Sequence, residues 1–363
     1  MGTERLSILP LVLSRSRLIA GIRRLVLAGL VLVTVVLGPS VPDAGVTMGA
    51  HSAVAAGRDT VSPLPYVDTD TQDQHRDFPA RVLQQPIAFR DSGARVRTPP
   101  PILAAAAIVV DIDRGEILWS LNPHARRAPA STAKLVSALV ALENFPPDRA
   151  ISVTPEAADA LSVETRMELL PGEQFTAREL LTGMLTISAN DATRAFAYGT
   201  FGMDDYVAAM NRQVRALGLH DSNFVNPVGF PDDPQMYSSA YDLAAVAVTA
   251  YREFPLFGEI TAMRDVDLAQ SAAQRDYRLH NINRLPDIYP AAVGTKSGFT
   301  DEAGPCLVSM AVRGGHRLVA VLLNAPHMFD QSRALLEWGF SQEGLAPLPP
   351  VSGTPASAPS IRH

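Results

Sequence analysis

Two pairs of short, β-rich hydrophobic runs frame the globular part of the chain. The first pair, residues 105–111 and 116–120, flanks the turn sequence Asp-Arg-Gly. The second pair, residues 305–312 and 316–324, flanks Gly314-Gly315. Runs of this length separated by glycine-containing turns are typical of β-hairpins. The pattern therefore predicts one hairpin near each end of the globular segment.

Between the hairpins, the hydrophobic spacing changes to that of helices. A helical pattern begins after Pro129 and continues to about residue 144. The sequence Thr-Ala-Arg-Glu at 176–179 is a capping box, which opens a helix that continues to about residue 186. Further helices are predicted over residues 203–217, closed by Gly218, and over residues 239–253 and 329–339.

This order of elements indicates an α+β fold. Hairpins at both ends with helices between them predict an antiparallel sheet built from the two chain ends, flanked by helices and interrupted by a helical insertion. The globular segment is expected over residues 103–341. Residues 57–102 are polar and dotted with proline, which is typical of a linker, and residues 342–363 are expected to form a disordered, proline-rich tail.

The first 56 residues are predicted to be an export segment. Residues 1–24 carry five arginines against one acid, and residues 25–37 contain no charge. Cleavage after export is our first interpretation, and retention as an N-terminal membrane anchor is the alternative. Arg23-Arg24 before the apolar run is a weak signature of twin-arginine export.

Composition excludes several classes of protein. A hydrophobic fraction of 47% is enough for a core, and a net charge of −6 argues against a nucleic-acid-binding protein. A single cysteine, Cys306, excludes an internal disulfide and a cysteine-based metal site, and we interpret it as a small buried hydrophobic residue. The eight histidines lack the spacing of metal ligands, so we expect neither a metal nor another cofactor.

Lysine is almost absent from the chain. Of 31 basic residues, only Lys134 and Lys296 are lysines. A codon bias that replaces surface lysine with arginine accounts for the excess of arginine. Because a lysine can deprotonate in a protein and an arginine cannot, the two that remain are candidates for chemistry.

Each lysine lies in a short motif with hydroxyl residues. In Ser131-Thr132-Ala133-Lys134, the i, i+3 spacing places both side chains on one face of the helix after Pro129. A serine needs a base to become a nucleophile, and a lysine can act as that base if burial and a second cation lower its pKa. The structural alternative is a helix-capping serine with a surface lysine.

Two further motifs are weaker when taken alone. Ser188-Ala189-Asn190 follows the capped helix and is also compatible with an ordinary polar helix terminus. Lys296-Ser297-Gly298 would bring a cation, a hydroxyl and a bare backbone to a ligand at a strand edge, or would form a simple strand-end turn.

Taken together, the three motifs resemble those of penicillin-binding serine enzymes and serine β-lactamases. The surrounding sequence resembles more narrowly the low-molecular-mass D-alanyl-D-alanine carboxypeptidases, the S11 serine peptidases. The resemblance covers roughly residues 103–341. Its blocks are APASTAKL at 128–135, PGE at 171–173, RELL at 178–181, SANDA at 188–192, FVNP at 224–227, HNINRL at 280–285 and GTKSGFT at 294–300.

The resemblance implies the function of a serine D,D-carboxypeptidase. Such an enzyme removes the terminal D-Ala from peptidoglycan stem pentapeptides through an acyl-enzyme, and β-lactams inhibit it covalently. The implied location is outside the cytoplasm, in the cell envelope, with any membrane association made through the N-terminal segment. No nucleic-acid partner is implied.

The resemblance also implies a role for each motif residue. Ser131 is the nucleophile, Lys134 its general base, and Ser188 a proton relay to the leaving amine. The expected substrate-binding residues are Asn190, Lys296, Ser297 and Gly298, with the backbone N–H groups of Ser131 and Phe299 forming the oxyanion hole.

Two departures from the family pattern stand out. Ser297 replaces the usual threonine but keeps the hydroxyl, so carboxylate binding is expected to survive. The sequence after residue 341 predicts neither the C-terminal β domain nor the amphipathic membrane helix of some relatives.

Three other functions stay open on the sequence. A D,D-endopeptidase would use the same residues. A β-lactamase of the common class would need a glutamate to activate water, and the FVNP stretch at 224–227 offers none. A non-catalytic envelope binding protein on the same fold would not require intact motifs.

Overall fold

The fold is built around a six-stranded β-sheet. The computed structural model describes residues 88–91, 98–159 and 163–349. All of these residues belong to the second of the chain's two compact units, residues 68–363. The predicted export segment lies outside the described residues. No helix within them has the length and apolar character needed to cross a membrane.

The strands of the described part are β1 Arg90–Asp91, β2 Ala106–Asp111, β3 Glu116–Leu121, β4 Ala150–Ser152, β5 Gln174–Thr176, β6 Asp265–Leu268, β7 Tyr277–His280, β8 Ala292–Gly298, β9 Cys306–Arg313 and β10 His316–Leu323. Its α-helices are α1 Lys134–Asn144, α2 Pro155–Ala158, α3 Ala177–Thr186, α4 Asn190–Phe196, α5 Met203–Ala216, α6 Ala240–Glu253, α7 Pro255–Ala262, α8 Leu285–Ile288 and α9 Met328–Gln342.

The main sheet joins the two ends of the globular segment, as predicted. Its strand order is β1-β3-β2-β10-β9-β8. The pairs β2–β3 and β9–β10 are antiparallel hairpins, and β2 pairs with β10 in the middle of the sheet. The expected α+β architecture is therefore confirmed. Strand β8, which holds the Lys-Ser-Gly motif, lies at one edge of the sheet.

Strand β1 was not predicted, because it lies inside the segment that the sequence assigns to a linker. It runs parallel to β3 at the other edge of the sheet. Phe89 packs beside it against Tyr241 of α6, with ring centroids 5.2 Å apart. Part of the predicted linker is therefore attached to the folded unit.

Apolar side chains cover both faces of the sheet. On one face, alternate residues of β2 and β10 join the helical insertion in a large cluster that includes Ile108, Val321 and Leu139. On the other face, Leu336 and Phe340 of α9 belong to a second cluster. The sheet is thus buried between the helical insertion and α9. This packing places the edge strand β8 beside the insertion.

The predicted helices are confirmed, with differences at several of their ends. The capping box is present at the start of α3, where Thr176 and Glu179 bond each other's backbone N–H groups. Helix α9 continues three residues beyond the predicted end at 339. Residues 343–349, placed in the tail by the sequence, extend along α9, and the Leu348 N–H donates to Glu337 at 2.9 Å.

The start of the helix after Pro129 differs from the expectation. Residues Ala130–Ala133 form a turn of 3₁₀ helix, and the α-helix begins only at Lys134. Ser131 is therefore presented by a tighter turn that precedes the α-helix. Several short elements of the insertion were not predicted, among them α4, α7 and the β6–β7 hairpin.

Candidate active site

Ser131 and Lys134 form the centre of the site. The Lys134 Nζ lies 3.0 Å from the Ser131 Oγ and donates a hydrogen bond of 2.7 Å to the Val228 carbonyl. Lys134 is fully buried. Burial, followed by the charge of Lys296, holds the pKa of the Lys134 amine well below its usual range. A neutral amine at this distance is suited to accept the proton of a serine hydroxyl.

The turn that presents Ser131 is held in a restricted conformation. Ala130 has a left-handed φ of +47°, which is uncommon for a residue with a Cβ. The Thr132 hydroxyl donates to the Pro129 carbonyl at 2.5 Å and closes the turn. Gly229 packs directly against it, since a Cβ at 229 would lie 1.9 Å from the Ala130 oxygen. Neighbouring backbone therefore fixes the position of the serine.

The loop over residues 226–229 orients Lys134. The Asn226 Oδ1 accepts hydrogen bonds from the N–H groups of Val228, at 3.1 Å, and Gly229, at 2.8 Å. This small turn presents the Val228 carbonyl to the lysine. Although the sequence singled out the FVNP stretch, it assigned this loop no role, because a backbone carbonyl leaves no signature in the residue pattern.

Ser188 and Asn190 lie at the junction between α3 and α4. Ser188 has a left-handed φ of +65° and is buried. Strained backbone of this kind is often found at functional sites. Asn190 begins α4, and its backbone N–H donates to the Thr165 carbonyl at 2.8 Å. The Asp191 carboxylate accepts from the N–H groups of Met167 and Leu169, each at 3.0 Å.

The third motif lies against the turn of the serine. A Cβ built on Gly298 would lie 2.8 Å from the Ser131 nitrogen, so the end of β8 touches that backbone directly. Lys296 is buried and donates to the Ser297 carbonyl at 2.6 Å. Burial lowers the pKa of the Lys296 amine to about 7. Phe299, which follows Gly298, is 50% exposed.

The structure thus brings the first and third motifs together, as the sequence predicted. The contact between Gly298 and Ser131 joins them in space, and the charge of Lys296 acts on Lys134. Ser188 and Asn190 of the second motif are buried at the junction of α3 and α4, and the carboxylate of the next residue, Asp191, opposes the lowering of the Lys134 pKa.

Two further residues beside the second motif were missed by the sequence analysis. The Asn190 Nδ2 donates to the Glu164 carboxylate at 2.5 Å, and Arg194 pairs with the same carboxylate at 2.8 Å. Arg194 lies four residues after Asn190, on the same face of α4. That spacing was available in the sequence, but the partner glutamate is 26 residues away from Asn190.

Cys306 is buried at the start of β9, and burial raises the pKa of its thiol to about 11. The thiol is therefore protonated near neutral pH and unreactive, which agrees with its interpretation as a small hydrophobic residue.

Metal-ligating side chains come together once in the described part of the chain. One ligand atom from each of Asp111, His316 and Glu343 lies within 4.8 Å of the others. Arg114 ion-pairs with both carboxylates. Because Arg114 already neutralises these carboxylates, we interpret the cluster as an ion-pair network and not as a metal site.

Comparison with known proteins gives consistent results. The sequence profile of a family described as D-alanyl-D-alanine carboxypeptidase matches residues 94–327. The D-alanyl-D-alanine carboxypeptidase DacB2 of Mycobacterium tuberculosis is 34% identical over 242 residues, which cover 64% of this chain and 81% of that protein. The D-alanyl-D-alanine carboxypeptidase DacF of Bacillus subtilis is 32% identical over 256 residues, which cover 68% of this chain and 64% of that protein.

Solved structures show the same similarity. The crystal structure of a D-alanyl-D-alanine carboxypeptidase from Mycobacterium tuberculosis superposes with a TM-score of 0.64 at 30% identity. The superposition covers 73% of this chain and all of that one.

Proposed function

The chain belongs to the D-alanyl-D-alanine carboxypeptidase family of serine hydrolases, and on that premise we propose that it removes the terminal D-alanine of peptidoglycan stem pentapeptides through a serine acyl-enzyme. One observation carries the proposal. A fully buried lysine amine lies 3.0 Å from a serine hydroxyl, with its pKa lowered by burial and by a second lysine.

In the acylation step, the Ser131 Oγ attacks the carbonyl carbon of the penultimate D-alanine while its proton passes to the neutral Lys134 amine. The bond from that carbon to the terminal D-alanine nitrogen then breaks. Ser188 relays the proton held by Lys134 to the departing amine, which returns Lys134 to its neutral form. In the second step, water attacks the ester, releases the shortened peptide and restores the Ser131 hydroxyl.

Substrate binding is assigned to the remaining motif residues. The Lys296 ammonium and the Ser297 hydroxyl hold the free C-terminal carboxylate, and Asn190 bonds the peptide backbone. The backbone N–H groups of Ser131 and Phe299 form the oxyanion hole, where each donor is worth about 2.7–4 kcal/mol. The close contact of Gly298 with the Ser131 nitrogen supports this arrangement, because it brings the two backbones together.

Replacing Gly298 with alanine tests this contact. The added methyl group would lie 2.8 Å from the Ser131 nitrogen and 3.1 Å from the Thr132 nitrogen, atoms that cannot move without displacing the nucleophile. We expect Gly298→Ala to destabilise the protein by about 1–3 kcal/mol, measured by urea unfolding, and to slow acylation by penicillin.

The matched control is Gly258→Ala in α7, whose added methyl meets the Tyr251 ring at an ordinary 3.4 Å. This variant should acylate at the native rate. Native acylation in the Gly298→Ala variant would show that the contact does not position the serine.

Sensitivity to β-lactams is part of the proposal. Ser131 would open the lactam amide by the same attack, but the amine stays tethered to the acyl group and cannot diffuse away. Slow hydrolysis of this ester separates the proposed enzyme from a β-lactamase.

The family acts on peptidoglycan in the cell envelope, and we place this chain there as well. Within residues 1–56, a basic stretch followed by an apolar stretch supports export. The segment is then either cleaved or retained as an N-terminal membrane anchor. We assign the activity to residues 103–341. Residues 57–102 lead from the membrane to this domain, and β1 within them is attached to its sheet.

Incubation with a pentapeptide ending in D-Ala-D-Ala, followed by mass spectrometry, tests the activity. We expect the loss of one alanine. Cleavage confined to cross-linked peptide dimers would instead identify an endopeptidase, and an unchanged pentapeptide would contradict the proposal. A pentapeptide ending in L-Ala-L-Ala is the matched control and should remain intact.

A further inference from the structure

A buried carboxylate lies behind the second motif. The Glu164 side chain is only 1% exposed. Its Oε2 lies 2.5 Å from the Asn190 Nδ2 and 2.8 Å from the Arg194 Nη2, and its Oε1 accepts from the same Arg194 nitrogen at 2.9 Å. A carboxylate buried to this degree costs free energy unless it is paired, and here Arg194 pairs with it.

The contact with Glu164 fixes the orientation of the Asn190 amide. An ionised carboxylate only accepts hydrogen bonds, so the amide must turn its NH₂ group toward Glu164. One N–H of that group bonds Glu164, which leaves the second N–H and the oxygen of the Asn190 amide for other partners. Without the carboxylate, the two orientations of the amide would be much closer in energy, and the donor and acceptor atoms of the amide could exchange places.

We propose that Glu164 is a positioning residue of the active site, which together with Arg194 holds the Asn190 carboxamide in one of its two orientations. The inference rests on the proposed function, because it takes Asn190 as the residue that bonds the peptide backbone. It adds a residue outside the three motifs to the machinery that binds substrate.

Glu164 acts through Asn190 and not as a base for water. Its Oε1 accepts a hydrogen bond from the Arg194 guanidinium, its Oε2 accepts one from Asn190, and the carboxylate is shielded from solvent. A glutamate that activates a deacylating water needs a free, accessible oxygen. Glu164 is therefore not placed to activate a deacylating water.

The pair also acts on the charge of Lys134. The Glu164 carboxylate raises the pKa of the lysine, and the Arg194 guanidinium lowers it. Because the two effects oppose each other, the buried pair orients Asn190 without adding a net charge beside the general base. Removing one charge alone should shift the pH dependence of acylation in a known direction.

A double-mutant cycle between Glu164 and Asn190 tests the proposal. The measured quantity is the second-order rate constant for acylation by a fluorescent penicillin. Glu164→Ala and Asn190→Ala are each expected to lower it roughly 10- to 100-fold, the scale of a misplaced binding group. Because Glu164 acts through Asn190, the double variant should match Asn190→Ala within about twofold.

Losses that multiply in the double variant, or a Glu164→Ala variant with native acylation, would overturn the inference. Failure of the native chain to acylate at all would instead overturn the proposed function. If Glu164→Ala does not fold, Glu164→Leu takes its place in the cycle, because leucine fills the buried space and offers Asn190 no acceptor.

The dependence of the acylation rate on pH gives a second test, because it would not change if Glu164 had a purely structural role. Glu164→Gln removes the charge that raises the pKa of Lys134, so the acidic limb of the acylation profile should shift to lower pH. The control is Glu168→Gln, on the same loop, whose side chain is 69% exposed. A profile that is identical in Glu164→Gln and the native protein would count against the inference.

Discussion

The Ser131→Ala variant should form no covalent adduct with penicillin and should release D-alanine from a pentapeptide about 10⁶-fold more slowly, the scale on which loss of a serine nucleophile acts. The Ser131 Oγ is the hydroxyl 3.0 Å from the buried Lys134 amine. Removing one hydroxyl from this turn leaves the hydrogen bond from Lys134 to the Val228 carbonyl in place, so the fold should persist. Gel fluorescence after labelling and a coupled assay for D-alanine measure the two effects.

The control for this experiment is a second serine in the same region. Ser137 is buried in α1, and its hydroxyl lies 3.4 Å from that of Tyr206. The Ser137→Ala variant should label like the native protein. Full labelling of Ser131→Ala would show that another residue carries the acyl group.

Replacing Lys134 with methionine should slow acylation by about 10²–10⁴-fold, the range of a general base. Methionine has a similar length and suits a fully buried position, so the loss reports the missing amine more than a change in packing. The assay is the pre-steady-state rate of penicillin labelling, which separates the chemical step from binding.

Lys296→Met is the matched variant, because Lys296 is the other buried lysine of the chain. We assign it to carboxylate binding, so its main effect should appear as a higher KM for the pentapeptide. If both variants lowered kcat equally and left KM unchanged, the division of roles between the two lysines would be wrong.

The sequence predicted those parts of the fold that short-range chemistry determines. The two hairpins follow from glycine turns between β-rich runs, and the start of α3 follows from the capping box at Thr176 and Glu179. The scarcity of lysine directed attention to Lys134 and Lys296, and both are buried at the site.

The remaining parts of the site depend on contacts that residue patterns do not encode. The left-handed backbone at Ser188 is imposed by the junction between two helices of the insertion, and serine has no special preference for it. The Val228 carbonyl binds Lys134 across 94 residues of sequence. Glu164 reaches Asn190 only because the loop that contains it folds back onto α4.

The central claim is that the amines of Lys134 and Lys296 are both buried and both have lowered pKa values, and the presence of only two lysines in the chain makes it directly measurable. NMR titration of the protein labelled with ¹³C and ¹⁵N in lysine should give two side-chain signals, assigned with the two methionine variants. We predict that the pKa of Lys134 lies well below its usual range, because of burial and the charge of Lys296, and that Lys296 titrates at about 7. Titration of both amines near 10.4, the value of an unperturbed lysine, would contradict the account.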